Sequence, residues 1–163
     1  MNRKERRASA ARARRLPVVR RTCGGCTECC TALGVPELEK GFHEKCRHEG
    51  DSGCGSYDER PQQCRNFSCQ WLLGSMEDKD RPDKIGVIFD ISSGGALGRI
   101  PVAIETRDGA TESGEGEEVL RLVAKNSAVA VISRDGKQRL VGAPSWADGL
   151  RLDLIGDLPE QPS

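Results

Sequence analysis

All eight cysteines of this 163-residue chain fall between Cys23 and Cys69, four of them in the run Cys23-Gly24-Gly25-Cys26-Thr27-Glu28-Cys29-Cys30. A Cys-x-x-Cys turn aims two thiolates at one point, the knuckle used by zinc and iron sites. Two such turns overlap here, 23/26 and 26/29, with Cys30 directly after them and Cys46, Cys54, Cys64 and Cys69 downstream. A single buried and inert cysteine is common. Eight packed into one third of a chain point to a metal centre.

The rest of the composition shows what such a centre would contribute. With only six aromatic residues the core must be aliphatic and modest. A bound metal helps a fold of that kind, because a structural zinc site supplies roughly 10–16 kcal/mol of apparent binding free energy that doubles as folding free energy. The formal net charge of zero hides an asymmetry: residues 1–21 carry nine basic side chains against Glu5 alone, so the arm is about +8 and the remainder about −8. No secretory h-region and no stretch of transmembrane length is visible, so the expected address is cytoplasmic, with no membrane partner. Thiols stay reduced there, which favours metal over disulfides. The Arg, Ala and Ser content of the arm also resembles an organellar transit peptide, though a poorly amphipathic one.

Four segments follow from composition and pattern. Residues 1–21 form a basic arm with almost no apolar face, expected to be disordered. Residues 22–74 form the cysteine module. A short helix is expected near Glu28, irregular chain over 44–55, and a helix starting at Pro61 and running to about Leu73, with Gly74 at its end. Residues 75–156 lack cysteine. Ile85 to Ile91 reads as a strand, Ile100 to Thr106 as a half-buried strand, and Ser92 to Gly98 as the turn between them. Glu115 to Lys125 reads as a helix with Val119, Leu122 and Val123 on its apolar face. Ala128 to Ser133, Asp135-Gly136 and Gln138 to Val141 suggest a hairpin, and Leu150 to Ile155 one more strand. Residues 157–163 are expected to be a disordered tail. The fold class is α+β: a small metal-bound module followed by a mostly antiparallel sheet with one or two helices.

Four plus four thiols match two tetrahedral thiolate sites, or one cluster with spare thiols. A zinc ion with four thiolates carries a net −2, and Arg20, Arg21, Lys45, Arg47, Arg60 and Arg65 are interleaved to offset such charge. His43 and His48 are candidates for supporting contacts or ligand substitution, against the plainer reading of solvated loop residues. Cys64 and Cys69 are five apart, about 140° around a helix, so they face one metal only if the helix ends between them. Adjacent Cys29 and Cys30 point to different sides. The spacing leaves the partition of ligands open.

The full pattern is Cys23-x-x-Cys26-x-x-Cys29-Cys30, then Cys46, Gly53-Cys54 and Tyr57-x-x-Arg60-Pro61-x-x-Cys64-Arg65-x-Phe67-x-Cys69. It resembles the bacterial CxxCxxCC cysteine-cluster family, described as zinc- or iron-chelating, over roughly residues 22–90. The later Arg81-Pro82-Asp83-Lys84-Ile85-Gly86-Val87 also looks like a segment of some members. The resemblance implies a zinc or iron ion held by the eight cysteines. Tyr57, Arg60, Pro61 and Arg65 are read as structural support: Pro61 sets a helix start, Arg60 bridges to a carboxylate or thiolate, and Tyr57 packs its ring on the site.

The expected function is therefore metal chelation, structural or metal-handling, with an unidentified protein partner. The alternative is an iron–sulfur redox protein. Cys23, Cys26 and Cys29 match the first three ligands of a ferredoxin run, but the adjacent fourth cysteine is missing, and Cys46 or Cys64 would have to supply it. Nucleic-acid binding through the 1–21 arm is a lesser option, because the body is acidic and no aromatic residues interleave with basic ones. No HExxH or zinc-deaminase pattern is present, and no acid–base pair accompanies a ligand, so no catalytic constellation is assigned.

Overall fold

The computed structural model describes residues 19–93 and 98–142. The expectations for most of the arm, the 157–163 tail, the Leu150 to Ile155 strand and the tip of the Ser92 to Gly98 turn lie outside the described residues.

The cysteine module is built from short pieces. Helix α1 (Glu28–Ala32) is followed by a 3-10 turn at Pro36–Leu38, a two-rung hairpin of β1 (Glu49–Gly50) and β2 (Gly53–Cys54), and helix α2 (Gln62–Asn66). The hairpin sits inside the stretch expected to be irregular. Gly53, at φ 125, makes its turn possible.

Helix α2 is much shorter than expected. Pro61 is extended (ψ 156) and precedes the helix rather than forming its first turn, and Phe67 returns to extended backbone (ψ 129). The helix ends there because Phe67 and Cys69 turn inward to pack on the sheet. Gly74 still marks the close of the segment, in a left-handed turn at φ 80.

The second half begins with a 3-10 turn at Asp78–Asp80, whose Glu77 and Asp80 carboxylates cap each other's backbone. Helix α3 (Pro82–Ile85) follows, so Ile85 ends a helical turn instead of opening a strand. Gly86 at φ 73 turns the chain into the sheet. Four strands follow, β3 (Val87–Ser93), β4 (Arg99–Glu105), β5 (Val129–Ile132) and β6 (Gln138–Val141), with helix α4 (Gly114–Ala124) between β4 and β5. Their spatial order is β3-β4-β5-β6.

β3 and β4 are antiparallel from Val87↔Glu105 to Ser93↔Arg99, and β5 and β6 form the expected antiparallel hairpin. β4 and β5 are parallel, with Val102 opposite Ala130, because α4 carries the chain back across the sheet. The α+β class is as read from the sequence, with one parallel pair in a mostly antiparallel sheet.

Both faces of the sheet are covered. Val87, Phe89, Ala103, Val129 and Val131 face Val119 and Leu120 of α4, whereas Ile88, Ile100, Val102, Ile104, Ala130 and Ile132 face the cysteine module. That is why β4 is buried on nearly every residue rather than alternating. In α4, Leu120 takes the buried position that the pattern gave to Leu122, which is 59% exposed. Gly116 lets the helix sit this close: a Cβ there would meet the Ala110 and Ile85 carbonyl oxygens, the latter at 2.7 Å.

Candidate metal centre

The thiols lie on the loops, short helices and strand β2 of residues 22–74, of which Cys29 and Cys69 pack on the Ile88 face of the sheet. The first knuckle is a closed turn, with the Cys26 N–H donating to the Cys23 carbonyl at 3.0 Å. Gly24 at φ 55 accommodates the turn. The hairpin tip rests on it, since a Cβ on Gly53 would approach the Gly24 carbonyl to 2.9 Å. α1 then carries Cys29 and Cys30. Cys29 packs with Leu33, Phe67 and Cys69 against the sheet, while the Cys30 carbonyl accepts the Cys46 N–H at 3.2 Å. The Cys46 carbonyl accepts the Glu49 N–H at 3.0 Å, and Glu49 lies opposite Cys54 in the hairpin. Glu49 also accepts hydrogen bonds from the Thr27 and Thr31 hydroxyls (3.1 and 3.0 Å), tying the hairpin to both ends of α1.

All eight cysteines are free thiols, with Cys46 buried and the others intermediate in exposure. Mutual proximity shows in their electrostatics. Burial raises Cys64, and the charges of Cys30, Cys46 and Cys54 raise it further. Burial also raises Cys69, on which the charge of Cys23 bears. Cys26 is pushed up to about 11 by burial. A hydrogen bond between adjacent thiols raises Cys29 and lowers Cys30 to about 7. Among the described residues no three His, Cys, Asp or Glu side chains converge closely enough to hold an ion as they stand. Binding would have to draw the thiols together.

The cations around the thiols bear on that fit. Lys40 is 8% exposed, and its ammonium donates to the carbonyls of Thr31 (3.0 Å), Gly41 (3.1 Å) and Leu33. Burial lowers its pKa, and the neighbouring Cys46, Glu44, Cys30 and Cys29 pull it back up. Arg60 lies over the Tyr57 ring at 3.8 Å, and its charge lowers Cys23 against the effect of burial. Its Nε is buried without a hydrogen-bond partner. A buried cation is costly unless paired, and Lys40 is met by three carbonyls and by the nearby charge of Glu44. Free thiols are the donor type that zinc and iron take, but among the described residues they do not converge as they stand.

The other expected supports have different places. Tyr57 is half exposed and stacks on Arg60. Arg65 donates to the Arg60 and Asp58 carbonyls, holding the approach to α2. Arg47 donates to the Leu38 carbonyl. Arg21 donates to the Trp71 and Met76 carbonyls, pairs with Asp78 at 2.7 Å and lies over the Trp71 ring. His48 is partly buried, its carbonyl accepting the Gly55 N–H. His43 stands at φ 57 with both ring nitrogens buried and unpartnered. Its pKa is lowered by burial and by the charges of Arg134 and Lys40. Lys40 itself was not singled out by sequence, where it is one charge among many. An open cleft of about 390 Å³ lined by Glu39, Lys40, Glu44 and Cys46, among others, offers a path from solvent.

No family model, curated protein or solved structure matches the chain. Among the described residues no helix is long and apolar enough to cross a membrane.

Proposed function

We propose that this chain is a metal-chelating protein of the CxxCxxCC kind, holding zinc or iron through cysteine thiolates in a structural or metal-handling role. One observation carries the reading: all eight cysteines are free thiols within residues 23–69, carried on short elements near the buried Lys40 and an unpartnered Arg60 Nε. Thiolates bound to a metal would balance those cations, and a metal would in turn hold together a module with little regular structure. A cytoplasmic address is part of the proposal, because the thiols must remain reduced.

Anaerobic purification followed by an absorption spectrum and elemental analysis tests it. Stoichiometric zinc on a colourless chain, or iron without acid-labile sulfide, is the expected result. A broad visible band with iron and acid-labile sulfide would replace chelation by the iron–sulfur alternative. A chain that binds no metal under reducing conditions would end both.

A further inference from the structure

The sheet half carries a cleft of its own, lined by residues outside the cysteine module. β4 and β5 are parallel neighbours, so their carboxyl ends open side by side. That end of parallel strands is where open sheets commonly take small ligands. An open cleft of about 310 Å³ occupies it, between the turn that follows β4 and the turn joining β5 to β6. Both turns are held by their own backbone. The Ala110 and Glu112 N–H groups donate to the Arg107 and Gly109 carbonyls, and the Ser133 N–H donates to the Lys137 carbonyl.

The inner wall of the cleft is a carboxylate. Glu105, the last residue of β4, lines the cleft yet is only 3% exposed. One of its oxygens is fixed: Oε1 accepts the Thr111 N–H at 3.0 Å and also the Thr111 hydroxyl. That hydroxyl in turn accepts from Arg139 Nη2 at 2.9 Å. Oε2 accepts no hydrogen bond among the described residues, and it is not one of the sealed polar atoms left without a partner. It therefore opens to the cleft. A buried carboxylate with an idle oxygen is costly, and a donor of opposite charge offsets that cost best.

The rim sets the sign of the ligand. Asp108, Glu112 and Asp135 add three exposed carboxylates, against Arg134 and Lys137. Both cations already face rim carboxylates, Arg134 with Asp108 at 3.5 Å and Lys137 with Asp135 at 2.5 Å. With Glu105, four acids stand against two bases, a net of −2. Among the described residues no three His, Cys, Asp or Glu side chains converge, so the arrangement is not that of a metal site. An organic ammonium needs no such shell: one charge-assisted hydrogen bond and the field of the rim hold it.

We propose that this cleft binds a small primary amine, its ammonium on Glu105 Oε2 and any second cationic end toward the rim carboxylates. The site does not depend on the metal-chelating reading.

Putrescine, a linear diamine, is the probe, titrated into the isotope-labelled full-length protein at constant ionic strength and followed by amide chemical shifts. Saturable shifts centred on residues 105–112 and 133–137 are expected. 1,4-Butanediol, of the same length without charge, should leave those amides unmoved. Equal shifts with the diol, or no saturation with putrescine, would overturn the proposal. Saturable shifts with sodium acetate in place of the amine would assign the cleft to anions through Arg134 and Lys137, and would overturn it too.

Two variants locate the binding. Glu105→Gln keeps an acceptor for Thr111 but removes the charge, and should weaken putrescine about tenfold or more, as loss of a charge-assisted hydrogen bond does. The Asp108 side chain is 83% exposed, so Asp108→Asn spares the fold and should weaken putrescine about twofold, the scale of a surface charge. Unchanged affinity in both variants would overturn the proposal. Should Glu105→Gln lose the dispersed amide spectrum of the folded chain, Asp108→Asn and the diol comparison decide.

Discussion

The two halves of the molecule solve the same problem with different means. In the sheet half, buried aliphatic side chains from β3, β4, β5 and α4 line both faces of a regular ladder. In the cysteine half the buried apolar residues among those described are Ala32, Val35, Cys46 and Trp71, and the helices are five residues long. Helices that short have no stability of their own. The difference teaches that the sheet half can hold its shape by hydrophobic burial, whereas the cysteine half has the most to gain from a cross-link such as the proposed metal.

If the proposed metal is bound, removing it should break the comparison open with the largest effect. Chelation of the full chain, or Cys26→Ser or Cys64→Ser, should strip amide protection from residues 22–74 while β4 and β5 keep theirs. The expected loss in the module is several kcal/mol, a share of the roughly 10–16 kcal/mol a structural zinc site supplies. Hydrogen exchange followed by mass spectrometry reads it. Unchanged protection of the module without metal would mean that its hydrogen bonds and ion pairs suffice.

Core truncation sharpens the contrast by face. Ile88 is 1% exposed on the face shared with the module, and Val131 is fully buried on the α4 face. Ile88→Ala should cost about 2–5 kcal/mol and also weaken metal retention, since Ala32, Cys29 and Cys69 pack against that cluster. Val131→Ala should cost somewhat less, about 1–3 kcal/mol for the smaller side chain, and leave metal retention unchanged. Denaturant melts paired with zinc competition assays separate the two outcomes. Equal effects on metal retention would show that the faces are not independent.

Gly116→Ala is expected to cost about 1–3 kcal/mol, the usual scale of overpacking. Helix propensity alone predicts a gain of up to about 1 kcal/mol. Steric contact wins because the new methyl meets backbone carbonyls of Ala110 and Ile85 that cannot swing away. A stabilised variant would show that α4 has room to shift off the sheet.

The same contrast decides what could be read without coordinates. The hairpin of β5 and β6, helix α4 and the β3–β4 pairing were legible because strand and helix periods dominate where apolar burial dominates. Leu120 was missed for Leu122 because sequence period gives a face but not which rim of it the sheet covers. The parallel β4–β5 pair depends on the path of α4, a long-range fact. In the cysteine half the ligand candidates were plain, yet helix α2 was overextended: local signals from Gln62 to Leu73 favour helix, and only the pull of Phe67 and Cys69 toward Ile88 and its neighbours ends it. Lys40 gave no signal at all, because its importance lies in three carbonyls that the fold brings to it.

The smallest effect lies where the two halves meet. Asp90 is on β3, next to Phe89, whose carbonyl accepts the Gln70 N–H from the cysteine half. Burial raises the Asp90 carboxyl above its ordinary value of 3.8, and Arg99 offsets this only in part. A carboxyl whose folded pKa is raised favours folding while protonated. That contribution is present below the unfolded value and is lost as pH rises through the folded one, so the charged Asp90 mildly destabilises the protein at neutral pH. Asp90→Asn should therefore stabilise by about 0.5 kcal/mol at pH 7, the scale of a modest surface change. The gain should fade on acidification through the ordinary carboxyl value and be gone by about pH 3, where Asp90 is protonated in both states. Thermal melts of the two proteins across that range provide the check, and a gain that persisted at low pH would assign the effect to packing at the junction rather than to charge.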